Sequence, residues 1–268
     1  MKQDAFEAEK TASRADAKTW WGLATLMLVV LLVSIDNTVL SFALPEISQA
    51  LKPTGTQLLW IVDVYPLILA GLLITMGTVG DRHGRRKLLL IGSIGFGAVS
   101  VYAAFSTSAE HLIAARALLG LFGATLMPST LALLRNMFQN TTERRLAVAI
   151  WAAGWSAGSA LGPIVGGWLL EHFWWGSIFL INVPVVLLFM VLAPLLLPES
   201  KDPAPAKMDL ASALTSIVAM LLIVMGIKSV AAGQPPLQAM LFFMAGAAIG
   251  WWFVKRQLNI ANPMLDVR

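Results

Sequence analysis

Asp36, Asp63 and Arg116 are the ionisable residues that lie well inside long apolar runs of this sequence. On insertion scales a charge at the middle of a bilayer costs about 3 kcal/mol or more, so such residues face a cavity, an ion path or a partner charge. Asp36 is the first candidate functional residue on this ground, with Asp63 and Arg116 as the further candidates. Trp60, three residues before Asp63, supplies an aromatic face of the kind that attracts cations and is the candidate substrate contact. At 1.5 Å per residue, Asp36 lies roughly 12 Å, and Asp63 and Arg116 roughly 8 Å, from the same membrane surface. The three are therefore expected to share one cavity. The competing reading is a structural Asp36–Arg116 pair that locks helices together.

Other chemistries have little to build on. The chain contains no cysteine, which removes disulfides, thiolate metal sites and cysteine nucleophiles. His83, His111 and His172 are far apart, and no His/Glu helical pair with metal-ligand spacing occurs. No Walker A sequence occurs. The reading is no enzyme, no cofactor and no metal. The net charge of +4 is accounted for by where the cations sit along the chain, so no nucleic-acid partner is expected.

The elements that must position these residues are helices in lipid. Apolar residues make up 57% of the chain and charged ones 13%, against about 25% charged in soluble domains. A helix needs roughly 20 apolar residues to cross a bilayer, and eight candidates are read: 20–44, 58–80, 88–105, 111–134, 146–170, 178–197, 210–227 and 237–254. The fold class is all-α, a polytopic membrane protein. Sixteen Lys and Arg residues fall on one side of these spans and two, Lys52 and Lys228, on the other. The excess marks the cytoplasmic side, where the N-terminus would then lie. Residues 1–19 are polar and lack the apolar core of a signal peptide, so they read as a cytoplasmic segment. Residues 20–197 read as a six-helix unit. The Pro-rich, charged stretch 198–209 (PESKDPAPAKMD) reads as a cytoplasmic linker, 210–254 as an additional helix pair and 255–268 as a cytoplasmic end.

Two glycine patterns stand out. Gly154, Gly158, Gly162 and Gly166 recur every four residues, with Pro163 and Gly167 among them. They form a ridge on which a neighbouring backbone approaches closely. Gly77, Gly80, Asp81, Arg82, Gly84, Arg85 and Arg86 follow the second run. There Gly80 and Gly84 are expected to make a tight reversal, and Asp81 to cap the N-terminus of the third helix.

Together these segments resemble the major facilitator superfamily, and within it the fourteen-helix drug:proton antiporter branch. The run Ile35-Asp36-Asn37-Thr38-Val39 ending in Ala43-Leu44-Pro45 is similar to that branch's first-span signature. Residues 77–86 resemble the superfamily's cytoplasmic loop motif. Leu112, Arg116, Gly120 and Gly123 resemble the fourth-span motif, the glycine ridge the fifth-span antiporter motif, and Phe179, Asn182 and Pro184 a sixth-span motif. Trp60, Asp63 and Tyr65 resemble the pattern of QacA- and SmvA-type cation exporters. One departure lies before the sixth span, where Trp174-Trp175-Gly176-Ser177 replaces the usual Trp-Arg-Trp. The resemblance implies proton-coupled export of lipophilic organic cations, such as quaternary ammonium compounds and viologens, from a bacterial plasma (inner) membrane, with Asp36 taking up proton and cation in turn and Asp63 and Arg116 as further members of the proton/cation coupling set. It implies as partners the lipid bilayer, cationic substrates, protons, and a missing C-terminal half or a second copy. It also implies a chain that is incomplete as given. An importer of the same superfamily, or a fragment without transport activity, is the alternative.

Overall fold

A computed structural model describes residues 14–202, 210–231 and 233–259. Most of the N-terminal polar segment (1–13), most of the linker (203–209) and the end of the chain (260–268) lie outside the described residues. Those described form helices and short connections: α1 Ala17–Leu51, α2 Gly55–His83, α3 Arg85–Ala104, α4 Ala109–Met137, α5 Thr141–His172, α6 Ser177–Leu180, α7 Asn182–Leu196, α8 Leu210–Ala231 and α9 Pro236–Asn259. Among the described residues seven spans are long and apolar enough to cross a membrane, with α6 and α7 counted as one. Helix α8 carries a shorter apolar stretch, Leu214–Val230. The chain is a multi-pass, all-helical membrane protein.

Most helix starts are fixed by side chains that satisfy the first free amides. Asp16 accepts from the Thr19 amide (2.8 Å), Ser108 from His111 (3.2 Å) and Asn140 from Thr142 (3.0 Å). Thr54 and Gln57 form a reciprocal capping box. Several helices outrun the apolar stretches that reveal them. α1 continues through Pro45 to Leu51 and stops where Lys52 adopts a left-handed conformation, φ 46°. Lys52 precedes Pro53, and a residue before proline is turned out of the helical region. Hydropathy marks the lipid, whereas the hydrogen-bond ladder runs on until the backbone breaks it.

The reversal between α2 and α3 differs from expectation in the same way. Gly77, Gly80, Asp81 and Arg82 are still helical, and Gly84 alone makes the turn at φ 114°, a conformation that side chains disfavour. Gly80 serves packing instead: a Cβ there would come 3.3 Å from Leu88 and 3.5 Å from the Ser129 hydroxyl.

α1 is the most enclosed of the spans and α9 the least. α1 packs along α5 and against α7, α4 and α6; α2 pairs with α4, and α3 with α4 and α7. α8 and α9 pair with each other, and α8 docks on α2.

Candidate functional site: a buried carboxylate network

Two faces of α1 carry different work. Ser34 and Thr38, four residues apart, share one side; Asp36 lies about 200° from each on a 3.6-residue helix, so it points the opposite way.

The first face receives the glycine ridge. A Cβ on Gly158 would come within 2.7 Å of the Ser34 Cβ, and one on Gly162 within 2.9 Å of the Thr38 Cβ. On Gly166 it would meet Val39 Cγ2 at 2.8 Å, and on Gly154 the terminal methyl of Met27. Without side chains in the way, Ser34 donates to the Trp155 carbonyl at 2.6 Å and sits 3.0 Å from the Ser159 hydroxyl. Gly167 is not part of the ridge, since a Cβ there would meet nothing. α5 remains helical through Pro163.

The second face carries the charge. Asp36 and Arg116 are buried, and Arg116 Nη1 donates to Asp36 Oδ2 at 2.9 Å. Asn182 Nδ2 donates to the other oxygen, Oδ1, also at 2.9 Å, and shares itself with Ser100 Oγ at 3.1 Å. Arg116 Nε donates to the Ile61 carbonyl at 3.3 Å, and its guanidinium lies 4.3 Å from the centre of the Tyr65 ring. Helices α1, α2, α3, α4 and α7 thus meet at one carboxylate–guanidinium pair. The fourth-span motif supplies the room. Arg116, Gly120 and Gly123 share a face of α4, and a Cβ on Gly120 would come 2.7 Å from the Tyr65 carbonyl oxygen. Charge-assisted bonds to both carboxylate oxygens offset the cost of burying the ions. Breaking any one of them leaves a charge or a dipole stranded in an apolar interior.

Asp63 is not in this network, which corrects the expectation of one shared cavity. It lies near the start of α2, half-exposed, 2.8 Å from Lys228 Nζ on α8. Trp60 faces the same ammonium, 4.5 Å from ring centre to Nζ. The reason is rotational: Asp63 sits two residues beyond Ile61 and two before Tyr65, the α2 residues that touch Arg116, and so falls on the opposite side of the helix. Lys228, assigned from sequence to an outer loop, belongs to the last turn of α8.

The loop motif forms a separate cluster at the other end of the bundle. Asp81 does not cap α3: its carboxylate accepts from Arg85 Nε at 2.8 Å, one turn along. The α3 cap is Glu199, whose oxygens accept from the Arg86 and Lys87 amides at 3.1 Å each. Arg86 Nη1 reaches the Leu197 carbonyl at 2.8 Å, and the Arg85 amide the Ser200 carbonyl at 2.9 Å. The Asp202 amide donates to the Asp81 carbonyl at 2.9 Å, and Asn136 bonds the Ser200 hydroxyl. The chain leaving the sixth span is thereby laced to the loop between the second and third. Gly77 is in ordinary contact with Pro128, and Arg82 is exposed.

Sequence reasoning did not assign roles to Asn182, Ser100, Tyr65, Lys228 or Glu199. For Asn182 a signal was present: an amide in the most apolar of the spans has to be bonded to something.

Known proteins are similar to this chain in sequence. A family model described as "Major Facilitator Superfamily" matches residues 26–255. The multidrug efflux pump LfrA of Mycolicibacterium smegmatis is 54% identical over 262 residues, 98% of this chain and 52% of LfrA. The methyl viologen resistance protein SmvA of Salmonella typhimurium is 42% identical over 252 residues, 94% of this chain and 51% of SmvA. The tetracenomycin C resistance and export protein of Streptomyces glaucescens is 34% identical over 262 residues, 97% of this chain and 48% of that protein. The chain spans about half the length of these curated relatives. With the family match running through nearly the whole bundle, from α1 to α9, the chain belongs to the major facilitator superfamily.

Proposed function

We propose that this chain is the N-terminal part of a fourteen-helix, proton-coupled exporter of lipophilic organic cations. The observation that carries the reading is the Asp36 carboxylate, buried in an apolar helix with Arg116 and Asn182 on its two oxygens. The names of the relatives, a multidrug efflux pump and a methyl viologen resistance protein among them, support drug export, with quaternary ammonium compounds and viologens as the substrate class. The protein is a transporter rather than an enzyme. It works in the bacterial inner membrane with its N-terminus in the cytoplasm, as the charge asymmetry of its connections favours.

In this reading proton and cation alternate at Asp36. Protonation removes the negative charge that Arg116 answers and frees the α1–α4–α7 contact to rearrange. Deprotonation restores the contact. Asp63 is the second coupling carboxylate and Trp60 a substrate contact on the outer side. Moving one charge down the membrane potential supplies about 2.3 kcal/mol per 100 mV. The glycine ridge keeps α1 against α5 while its opposite face exchanges partners, and the laced loop motif holds the cytoplasmic end. A second six-helix half, supplied by the remainder of a longer protein or by another copy, encloses the substrate path.

The test is Asp36→Asn in the intact gene product, assayed in everted vesicles with a monovalent fluorescent cation. Gradient-driven efflux should fall to background while inserted protein remains, and Asp36→Glu should keep part of the activity. Normal efflux by Asp36→Asn would reject Asp36 as the coupling group.

A further inference from the structure

The outer end of α2 already holds a cation. Trp60 and Asp63, three residues apart on one face, receive the Lys228 ammonium from α8, 2.8 Å from Asp63 Oδ2 and 4.5 Å from the centre of the Trp60 ring. Three features separate this contact from a structural lock. The Asp63 side chain is 38% exposed, so the site opens to the surface. Among the described residues Lys228 Nζ has no hydrogen-bond partner beyond this one ion-pair contact, although its side chain is only 11% exposed. A cavity of about 100 Å³ adjoins it, lined by Thr56, Leu59, Trp60, Gln238 and Phe242 among others. The buried pair has none of these features, since Asp36 accepts a bond on each oxygen.

We infer that Trp60 and Asp63 form a binding site for monovalent lipophilic organic cations, and that Lys228 is a tethered competitor which the ligand displaces. A carboxylate beside an aromatic face is the recognition pattern for quaternary ammonium groups. A tethered group competes at an effective concentration in the millimolar range, so it excludes weak, small cations. A lysine ammonium is compact and strongly hydrated, and regains that hydration on leaving. A cation carrying apolar groups gains by the same exchange, because it brings surface for Leu59 and Phe242 to cover. Lys228 is thereby a specificity-determining residue. The inference rests on the reading of this protein as a carrier of organic cations, but not on any role for Asp36.

The experiment measures binding of benzyltrimethylammonium to the purified intact gene product in lipid nanodiscs by calorimetry. Lys228→Gln and Lys228→Met should each tighten binding by about tenfold or more, and Lys228→Arg should not. The gain should vanish when Asp63→Asn is added and persist when Asp36→Asn is added, which separates this site from the coupling carboxylate. In the unsubstituted chain the same cation should speed acylation of Lys228 by an impermeant amine reagent severalfold, read by peptide mass spectrometry. Equal affinity with and without the lysine, a gain that survives Asp63→Asn, or Lys228 labelling that does not change across the cation titration would each overturn the inference. The labelling result stands even if the Lys228 variants do not fold.

Discussion

Asp36–Arg116 and Asp63–Lys228 are two carboxylate–cation pairs in one bundle, with contacts of 2.9 and 2.8 Å, and they differ in almost everything but length. The first is buried, bonded on both carboxylate oxygens and shared by five helices. The second joins two helices at an end of the bundle, with Asp63 half-exposed, Lys228 only 11% exposed, and no further hydrogen bond on the ammonium among the described residues. Distance alone says little about what an ion pair does. The number of other bonds each charge makes, and whether water can take over when the partner leaves, decide whether the pair holds helices together or can be exchanged.

The sharpest way to break the comparison is Arg116→Ala. It strands the Asp36 carboxylate in an apolar interior, a loss of about 3–5 kcal/mol. Most of the folded protein should disappear, read as the monodisperse fraction on size-exclusion chromatography after mild heating. Asp36→Leu together with Arg116→Met removes both charges at similar volume and should restore much of that fraction without restoring transport. If Arg116→Ala is as stable as the unsubstituted protein, the buried pair is no more structural than the exposed one.

The face of α1 behind Asp36 gives the next effect. Gly162→Leu drives a side chain into Thr38, where even a Cβ would sit 2.9 Å from the Thr38 Cβ and 3.3 Å from the Val39 amide. Overpacking of this kind costs about 1–3 kcal/mol, and here it also shifts the helix that carries the carboxylate. Gly167→Leu is the matched control, since its side chain would project into open space. Efflux by the intact gene product should be lost in the first variant and kept in the second.

A smaller effect is expected at the loop motif. Glu199→Ala removes the cap of α3, worth about 1 kcal/mol. Hydrogen exchange at the Arg86 and Lys87 amides should speed up, while Asp81→Ala leaves those two amides protected because it never bonded them. Equal deprotection by both would show that the lacing, rather than the cap, is what protects α3.

What could be read from sequence follows from the range of each interaction. The glycine ridge is legible because residues four apart share a face, whatever packs on it. The spans are legible because lipid tolerates apolar side chains, though their ends are not: α1 stops at Lys52 for a backbone reason that hydropathy does not register. Depth counting brought Asp36 and Arg116 to the same half of the bilayer, and the structure brings them together. The same count placed Asp63 beside them, because depth carries no information about which way a helix faces. The Glu199 cap was illegible for a different reason. Asp81 is a local acid near the right helix start, whereas Glu199 reaches it from more than a hundred residues away. Asn182 supplies a carboxylate partner across a comparable distance in sequence, which no periodicity within one helix can reveal.

The smallest expected effect closes the comparison. Asp63→Ala removes a carboxylate that is itself 38% exposed at the edge of the bundle, and ion pairs that open to solvent contribute about 1 kcal/mol at most. The ammonium it leaves behind has somewhere to go. Lys228 sits in the last turn of α8, a favourable place for a cation beside the free carbonyls, and keeps the Trp60 face. The folded fraction after heating should therefore match the unsubstituted protein, where Arg116→Ala collapses it. Salt should separate the pairs in the same direction. Raising ionic strength from about 0.1 M to about 1 M shortens the screening length from about 10 Å to about 3 Å. That should erase whatever stability difference Asp63→Ala does make, yet leave the defect of Arg116→Ala in place, because ions in solution do not reach a site that five helices enclose. A large, salt-resistant loss of folded protein in Asp63→Ala would mean that the α2–α8 contact is as structural as the buried pair, and that the two carboxylates differ in address rather than in kind.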